Sequence, residues 1–542
     1  MNRNKTARQK NFATVPRSDI PRAKFRMRQT RKQAFNASEL IPIMCEEVLP
    51  GDVWQHRESL MARFATSIAP VIDDMDLETF YFFVPNRLTD PDWEDFITGV
   101  NTSLTTKQVR YYDTSTNIVK LGSVPDHFGI NPQTYSVAFY SVAMPICAYF
   151  QIYNQWFRDQ NLQTEWDTPF TSSTVRTDEI TNGTAYWDQM PLRINKRHDY
   201  FTSSLPWAQK GTAVTMPLGS TAPLRSTGQS LYLTSDDATI RSPRFVGGST
   251  NVQWESDPAT TGAVHWRMTG NPSGLEVDLS SATAATINSI RLAVTTQRLL
   301  ELDARGGSRY VENLMAHWGV RAKDYRLQIP EYLGGSKTPI SVNPIAQTAS
   351  YDAATGESPI GNLGAEMHAS SSKRTFTYAS EEHGYIIGLA VCRSTPTYQQ
   401  GTRRHWRRLT RLDYPDPVFA NIGEQAVSTQ EIFQPTDNSP SNSVWGYQER
   451  YAEMRYTPNE ITGVLRSTAP QPLDWWHYSE EFGSEPALNS AFITDKTQET
   501  LERSLATDTA AQWSAQIIMD ILHDNIVARL LPTYGVPGLL RF

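Results

Sequence analysis

From Phe80 to Val84 the chain reads FYFFV, five bulky apolar residues in a row. A run that is apolar at both odd and even positions is what a strand buried on both faces looks like, so this segment demands a packed layer on each side of it. Its surroundings obey the same grammar. ELIPIMCEEV is followed by the turn Pro50-Gly51-Asp52, then by SLMARFA, then by LETFYFFVP, so that apolar runs alternate with turn residues from Phe35 to Pro85. Aromatic residues at 11% and 33 prolines favour short strands and ordered irregular connections over long helices. The predicted fold class is mainly β with long loops.

Three short helices are expected beside the strands. Asp90 suits an N-cap, Pro91 the first helical position and Gly99 the end, with Trp93, Phe96 and Ile97 on one side. A second helix starts at Pro145, where Ile146, Tyr149, Tyr153 and Trp156 recur at helical spacing. A third runs from Ser308, with Tyr310, Leu314 and Trp318 on a stripe and Gly319 as terminator. These aromatic stripes are read as core packing.

No Pro/Gly/Ser linker of low hydrophobicity divides residues 35–542, so one elaborated domain is predicted despite the length. Residues 212–289 differ in kind, with 23 Ser/Thr among 78 positions. Leu231, Tyr232, Val252, Trp254, Val264, Trp266, Leu275 and Val277 nevertheless fall in short alternating pieces, which predicts a small ordered β insertion.

The net charge of −7 conceals two opposite regions. Residues 1–32 carry Arg3, Lys5, Arg8, Lys10, Arg17, Arg22, Lys24, Arg26, Arg28, Arg31 and Lys32 against the single acid Asp19; the other 510 residues hold 39 bases and 56 acids. A basic N-terminal arm, residues 1–34, therefore precedes an acidic body. With few apolar residues to fold around, the arm is expected to stay extended unless it binds something, and phosphate is the natural ligand. The alternative is a solvated tail.

Catalytic signals are missing. The chain has no G-x-S-x-G, no H-E-x-x-H and no phosphate loop; Gly334-Gly335-Ser336-Lys337 lacks the required order and reads as a turn. His198-Asp199 has no neighbouring nucleophile motif, and Glu46-Glu47 and Asp73-Asp74 would point to opposite sides of a strand. Cys45, Cys147 and Cys392 are odd in number and far apart, which excludes a disulfide framework and a C-x-x-C site and fits synthesis in a reducing compartment. No metal or cofactor is expected. The most apolar window, Val137 to Phe150, is too short to span a membrane, and a signal core is lacking, so a soluble, unsecreted protein without membrane insertion is predicted. One further cationic cluster stands out: Arg403, Arg404, Trp406, Arg407, Arg408 and Arg411, with His405 among them. Arginines interleaved with an aromatic suit single-stranded nucleic acid, and suit equally an acidic neighbouring subunit.

Several long blocks carry a family likeness: FNASELIPIMCEEVLPGDVW (35–54), TFYFFVPNRL (79–88), IYNQWFRDQNLQ (152–163), KRHDYFTSSLPWAQKG (196–211), DARGGSRYVENLMAHWGV (303–320), RLQIPEYLGGSKTPISVNPIAQT (326–348), TYQQGTRRHWRRLTRLDYPDPVFANIGEQA (397–426) and GYQERYAEMRYTPNEITGVLRSTAP (446–470). In this order they resemble the major capsid protein of the Microviridae, in its gokushovirus-like branch. The resemblance implies an eight-stranded antiparallel jelly roll with long inserted loops, filling residues 35–542. It implies a non-enzymatic structural protein assembled as a homo-oligomer of 60 copies in a T=1 icosahedral virion around circular viral single-stranded DNA. The implied partners are that DNA, a small basic DNA-packaging protein, a minor or pilot virion protein and a bacterial host surface receptor, with assembly in the host bacterial cytoplasm. Residues 225–283 occupy the place of the family's surface protrusion. Outside this class, exposed Trp254 and Trp266 suit a carbohydrate-binding jelly-roll protein, and paired carboxylates a glycan-cleaving enzyme; fold alone does not choose.

Overall fold

The computed structural model describes residues 22–98, 109, 111–113, 119–132, 140–166, 189–211, 224–226, 233–235, 240–241, 243–245, 252–254, 264–266, 275–277, 287–306, 312, 315–317, 328–348, 361–434, 443–506 and 515–534. Two compact units emerge: residues 1–208 with 321–542, and residues 209–320.

The first unit is built on nine strand segments: β1 (Ala23–Phe35), β2 (Ile41–Val48), β3 (Val53–Phe64), β4 (Met75–Pro85), β5 (Glu331–Pro339), β6 (Ser341–Ala346), β7 (Leu363–Ala379), β8 (Gly384–Ser394) and β9 (Ile517–Arg529). They form two antiparallel sheets, of order β1-β9-β3-β7-β6 and β5-β4-β8-β2. Successive strands from β1 to β4 alternate between the sheets, so each strand bonds to partners distant in sequence, the wrapping expected of a jelly roll. Only Ile340 separates β5 from β6, and the two sheets hold nine segments where eight strands were expected.

Period-two burial explains the pairing. On β3, Trp54, His56, Glu58, Leu60, Ala62 and Phe64 point inward while Gln55, Arg57, Met61 and Arg63 are exposed. β9 alternates likewise, with Ile517, Met519, Ile521 and Val527 in the core. β4 is buried almost throughout, as its sequence requires. Met75, Leu77, Tyr81 and Phe83 face the core between the sheets; Phe82 and Val84 face a second core.

That second core is closed by the helix Met144–Ile152, which has Pro145 in its first turn and continues as a π-helical turn, Tyr153–Phe157. Ile146, Tyr149, Phe150 and Ile152 are fully buried there, each worth about 1.5–3 kcal/mol of apolar transfer. The Tyr149 hydroxyl donates to the Leu40 carbonyl at 2.8 Å and accepts the Leu192 amide at 2.9 Å, stitching the start of β2 to a distant loop. Tyr149→Phe leaves both backbone groups buried without that partner. A loss of about 1–3 kcal/mol in urea unfolding is the expected result, and an unchanged midpoint would remove the stitch from the account.

Several expectations are corrected. The boundary at residue 34 falls inside β1: residues 23–34 are a paired strand, because Phe25, Met27 and Phe35 turn toward protein while Lys24, Arg26, Arg28 and Lys32 take the exposed side. Gly334-Gly335 is strand, not a turn: both pair with β4 just after a bulge at Leu333. Gly334 has φ of +152°, and a Cβ at Gly335 would stand 2.0 Å from the Thr79 carbonyl oxygen, so the strand can approach β4 only without one. The first expected helix begins at Trp93, two residues beyond Pro91; Asp90 accepts the Asp92 amide at 3.1 Å. None of its residues is buried, so Trp93 and Phe96 are a half-exposed ring pair and not core. Gly99, Ser308, Tyr310, Leu314, Trp318 and Gly319 lie outside the described residues; helix is present at Glu312 and at 315–317.

The second unit contains two- and three-residue antiparallel strands, including Val252–Trp254, Val264–Trp266 and Leu275–Val277, and the helix Ile287–Arg305. Leu231 and Tyr232 lie outside the described residues, and the helix was not foreseen. Among the described residues no helix is long and apolar enough to cross a membrane.

Candidate assembly and nucleic-acid surfaces

Arg3, Lys5, Arg8, Lys10 and Arg17 lie outside the described residues, and Arg22 is exposed just before β1. The remaining cations of the expected arm are set by strand register. Arg28 stands opposite Asp524 and Lys32 opposite Asp520 on β9. Arg26 forks onto Asp524 at 2.9 and 2.6 Å, Arg28 reaches the same carboxylate at 3.2 Å, and Lys32 pairs with Asp520. Hydrogen bonds from Arg26, then from Arg28, hold the Asp524 carboxyl well below the usual carboxylate range. Arg31 points the other way and donates to the His127 and Phe128 carbonyls at 3.2 and 3.3 Å. It holds structure together, whereas Lys24, Arg26, Arg28 and Lys32 share one exposed face.

The cluster at 403–411 is braced by its own chain. Trp406 sits in a 3-10 turn, Arg404–Arg407; a second, Arg411–Asp413, is held by a reciprocal Thr410–Asp413 capping box. Arg403 pairs with Glu460, Arg404 donates to the Ala426 carbonyl at 2.8 Å with Glu431 at 3.5 Å, and Arg408 binds Glu453 at 3.0 Å. The acids expected from a neighbouring subunit are therefore supplied from within, because the strand pair Gln425–Ser428 and Val444–Gln448 and the loop after it bring Glu431 and Glu453 under the arginines. Arg407 is half-buried and Arg411 exposed.

Sequence reasoning missed what lies between these charges. Trp406, Leu409 and Val418 are 74%, 90% and 81% exposed, and Leu412, Tyr414 and Ile422 are also solvent-facing. A single exposed leucine is unremarkable, but large apolar residues concentrated on one ion-paired loop mark a protein-binding surface. The signal was present in the alternation of Arg with Trp, Leu and Tyr, and the charges masked it.

Catalytic geometry is not assembled around the residues considered for it. Asp199 accepts the amides of Phe201 and Thr202 at 3.0 and 2.8 Å and the Tyr398 hydroxyl at 2.7 Å, so His198-Asp199 belongs to a turn beneath a third core of Tyr200, Phe201, Tyr398 and Trp445. Burial pushes the Cys45 thiol up to about 12, and Cys392 upward as well, which leaves them without thiolate character. Among the described residues no group of His, Cys, Asp and Glu could hold a metal ion.

The sequence matches, over residues 13–539, the family described as capsid protein (F protein) of phages. The chain belongs to that capsid family. Capsid protein VP1 of Bdellovibrio phage phiMH2K is 40% identical to it, over 98% of each chain; capsid protein VP1 of Chlamydia phage 1 is 36% identical, over 98% of each; and capsid protein VP1 of Spiroplasma virus 4 is 34% identical, over 99% of this chain and 98% of the relative. Membership in this capsid family makes the chain a structural protein and not an enzyme, in a gokushovirus-like setting. A capsid protein acts through its surfaces, which turns attention from clefts to the exposed loop at 406–422 and the cationic side of β1.

Proposed function

We propose that this chain is the major capsid protein of a gokushovirus-like phage, in which 60 copies close a T=1 shell around circular single-stranded DNA. The observation that carries this reading is the exposed apolar series from Trp406 to Ile422 on a loop stiffened by ion pairs. Shell closure needs large obligate contacts, of about 2,000 Å² or more, and a pre-ordered apolar loop supplies area without an ordering cost. Purified chain is expected to form uniform closed particles in negative stain, and Leu409→Asp, which places a charge at the most exposed of these positions, to leave slowly sedimenting unassembled protein. Wild-type particles from Leu409→Asp would remove the loop from the interface; a wild-type chain that stays monomeric under all assembly conditions would remove the function.

Residues 1–32 are assigned to the genome. Arg26, Arg28 and Lys32 already face Asp524 and Asp520, so the six cations before β1, against Asp19, supply roughly 300 net positive charges per 60-copy shell, a minority of several thousand phosphates, which leaves work for a small basic packaging protein. Arg403, Arg404, Trp406, Arg407, Arg408 and Arg411 are assigned to the subunit interface in preference to DNA, since Arg403, Arg404 and Arg408 already face carboxylates. Residues 225–283 are assigned to a surface protrusion that contacts the bacterial host receptor. Deleting them should leave closed particles with reduced adsorption to host cells; full adsorption would refute the assignment.

A further inference from the structure

The solvent side of the five-stranded sheet is cationic well beyond the N-terminal arm. Strand register places Arg28, Asp524, Arg57 and Arg374 in one row across β1, β9, β3 and β7. Along the same face the next rows read Thr30, Leu522, Ser59, Ser372, then Lys32, Asp520, Met61, Ser370, and then Ala34, Ile518, Arg63, His368. Asp524 is already shared by Arg26 and Arg28. Among the described residues Arg57 and Arg374, directly opposite one another, meet hydroxyls and no carboxylate, Ser372 at 3.2 Å and Thr377 at 2.9 Å respectively. Like charges facing each other across a strand pair destabilise a sheet. Two exposed arginines in that arrangement, within a chain of net charge −7, are what a surface awaiting a polyanion looks like.

We infer that this sheet face, centred on Arg57 and Arg374 and continued by Arg63 and the β1 cations, is a docking surface for the phosphodiester backbone of single-stranded DNA. The inference rests on the capsid reading and adds to it a folded sheet surface that neither the arm nor the 403–411 cluster provides. Three features favour phosphate over the acidic surface of another copy. Hydroxyls of Ser59, Ser370 and Ser372 lie between the arginine rows, and Arg with Ser/Thr is the usual donor set for phosphate oxygens. The side chains of Met61 and Ile518, 47% and 65% exposed, give unstacked bases an apolar floor. The cations of the face are spread along neighbouring strands and interleaved with hydroxyls, a layout that follows a backbone, so binding is to be sequence-tolerant and strongly salt-dependent.

The test compares the full-length chain with the double variant Arg57→Ser, Arg374→Ser, using a labelled oligo-deoxythymidine and fluorescence anisotropy across a salt series. Affinity at low salt should fall roughly tenfold or more, and the slope of log K against log salt should shrink by about 1.4, at about 0.7 per phosphate contact on a single strand. Arg57→Lys with Arg374→Lys keeps both charges and should keep the slope, which guards against a folding defect; the serine pair itself should unfold at an equal or higher temperature, since a repulsion has been removed. Unchanged affinity and slope in the serine variant would overturn the inference. So would intact DNA binding with lost self-association, because the occupant would then be another copy. Particle counts by microscopy are scored separately: closed shells with less DNA support the sheet face, and closed shells with full DNA reject it while leaving shell formation standing.

Discussion

Arg197→Ala is expected to cost the fold about 3–5 kcal/mol, the range for stripping one partner from a buried charge cluster. Asp76 and Glu78, both on β4 and each only 7% exposed, stand side by side at the edge of the second core. Arg197 spans them, at 2.8 Å from Asp76 and 3.0 Å from Glu78, and also donates to Thr395 at 2.9 Å. Arg393 on β8 closes on Glu78 at 2.8 Å, and Lys337 on β5 on Asp76 at 2.9 Å. Without Arg197 two neighbouring carboxylates must share what Arg393 and the more exposed Lys337 can supply. Arg197→Lys should fall between wild type and alanine, since a single ammonium cannot fork across two acids. Urea unfolding of the dissociated chain measures this, and a loss below about 1 kcal/mol for alanine would show that water or Lys337 compensates.

The second large effect is acid lability. Buried in the core, the Thr375 hydroxyl, His56, His523 and the Ile43 carbonyl form a chain of contacts, with 3.1 Å between the imidazoles and 3.0 Å from His523 to Ile43. Phe376 stacks on His56 at 4.9 Å. Burial, reinforced by the neighbouring imidazole, lowers His56 to about 3; burial lowers His523 to about 4. Both rings are neutral in the native protein, while in the unfolded chain they titrate near 6.5. Between these values the unfolded state binds more protons, so stability is complete above about pH 6.5 and is lost as pH falls toward 4. At pH 5 each ring contributes a loss on the order of 2 kcal/mol. Other groups also titrate: burial raises Glu39, Asp73, Glu431 and Asp495, which works in the opposite sense. The comparison is therefore with His523→Gln, which retains an N–H for Ile43. Between pH 7 and pH 5 the wild type should lose about 2 kcal/mol more than the variant, and equal losses would mean that His523 is protonated in the folded state.

How legible this molecule was depends on whether a residue's partner is local. β4 could be read because its burial is written in its own composition, and the helix at Pro145 because Ile146 and Tyr149 repeat at its own period. β1 was misread as a free arm. Its alternation of Phe25 and Met27 with Arg26 and Arg28 is visible in retrospect, but its partner lies on β9, where Asp520 and Asp524 turn a charge run into half of a ladder. The Gly334-Gly335 pair carried turn chemistry and gave no hint of the Thr79 carbonyl that excludes a Cβ. At 403–411 the cations were legible as a group; that Glu431, Glu453 and Glu460 would meet them was not, and the exposed Leu409 and Val418 drew no notice beside them. The block at 196–211 stood out by likeness alone. Its reason is physical: Lys196 binds Glu480, Arg197 ties β4, Asp199 sets a turn and Phe201 enters the third core.

The placement of β9 between β1 and β3 carries a timing consequence. Arg26 meets Asp524 across 498 residues, and Lys32 meets Asp520 across 488. On a ribosome adding about 5–20 residues per second, the first strand waits on the order of half a minute or more for the neighbour that ties it to the sheet. Assembly competence thus arrives only with nearly complete molecules, and for that interval the unpaired edges of β1 and β3 stand open to mispairing, a hazard built into strand order.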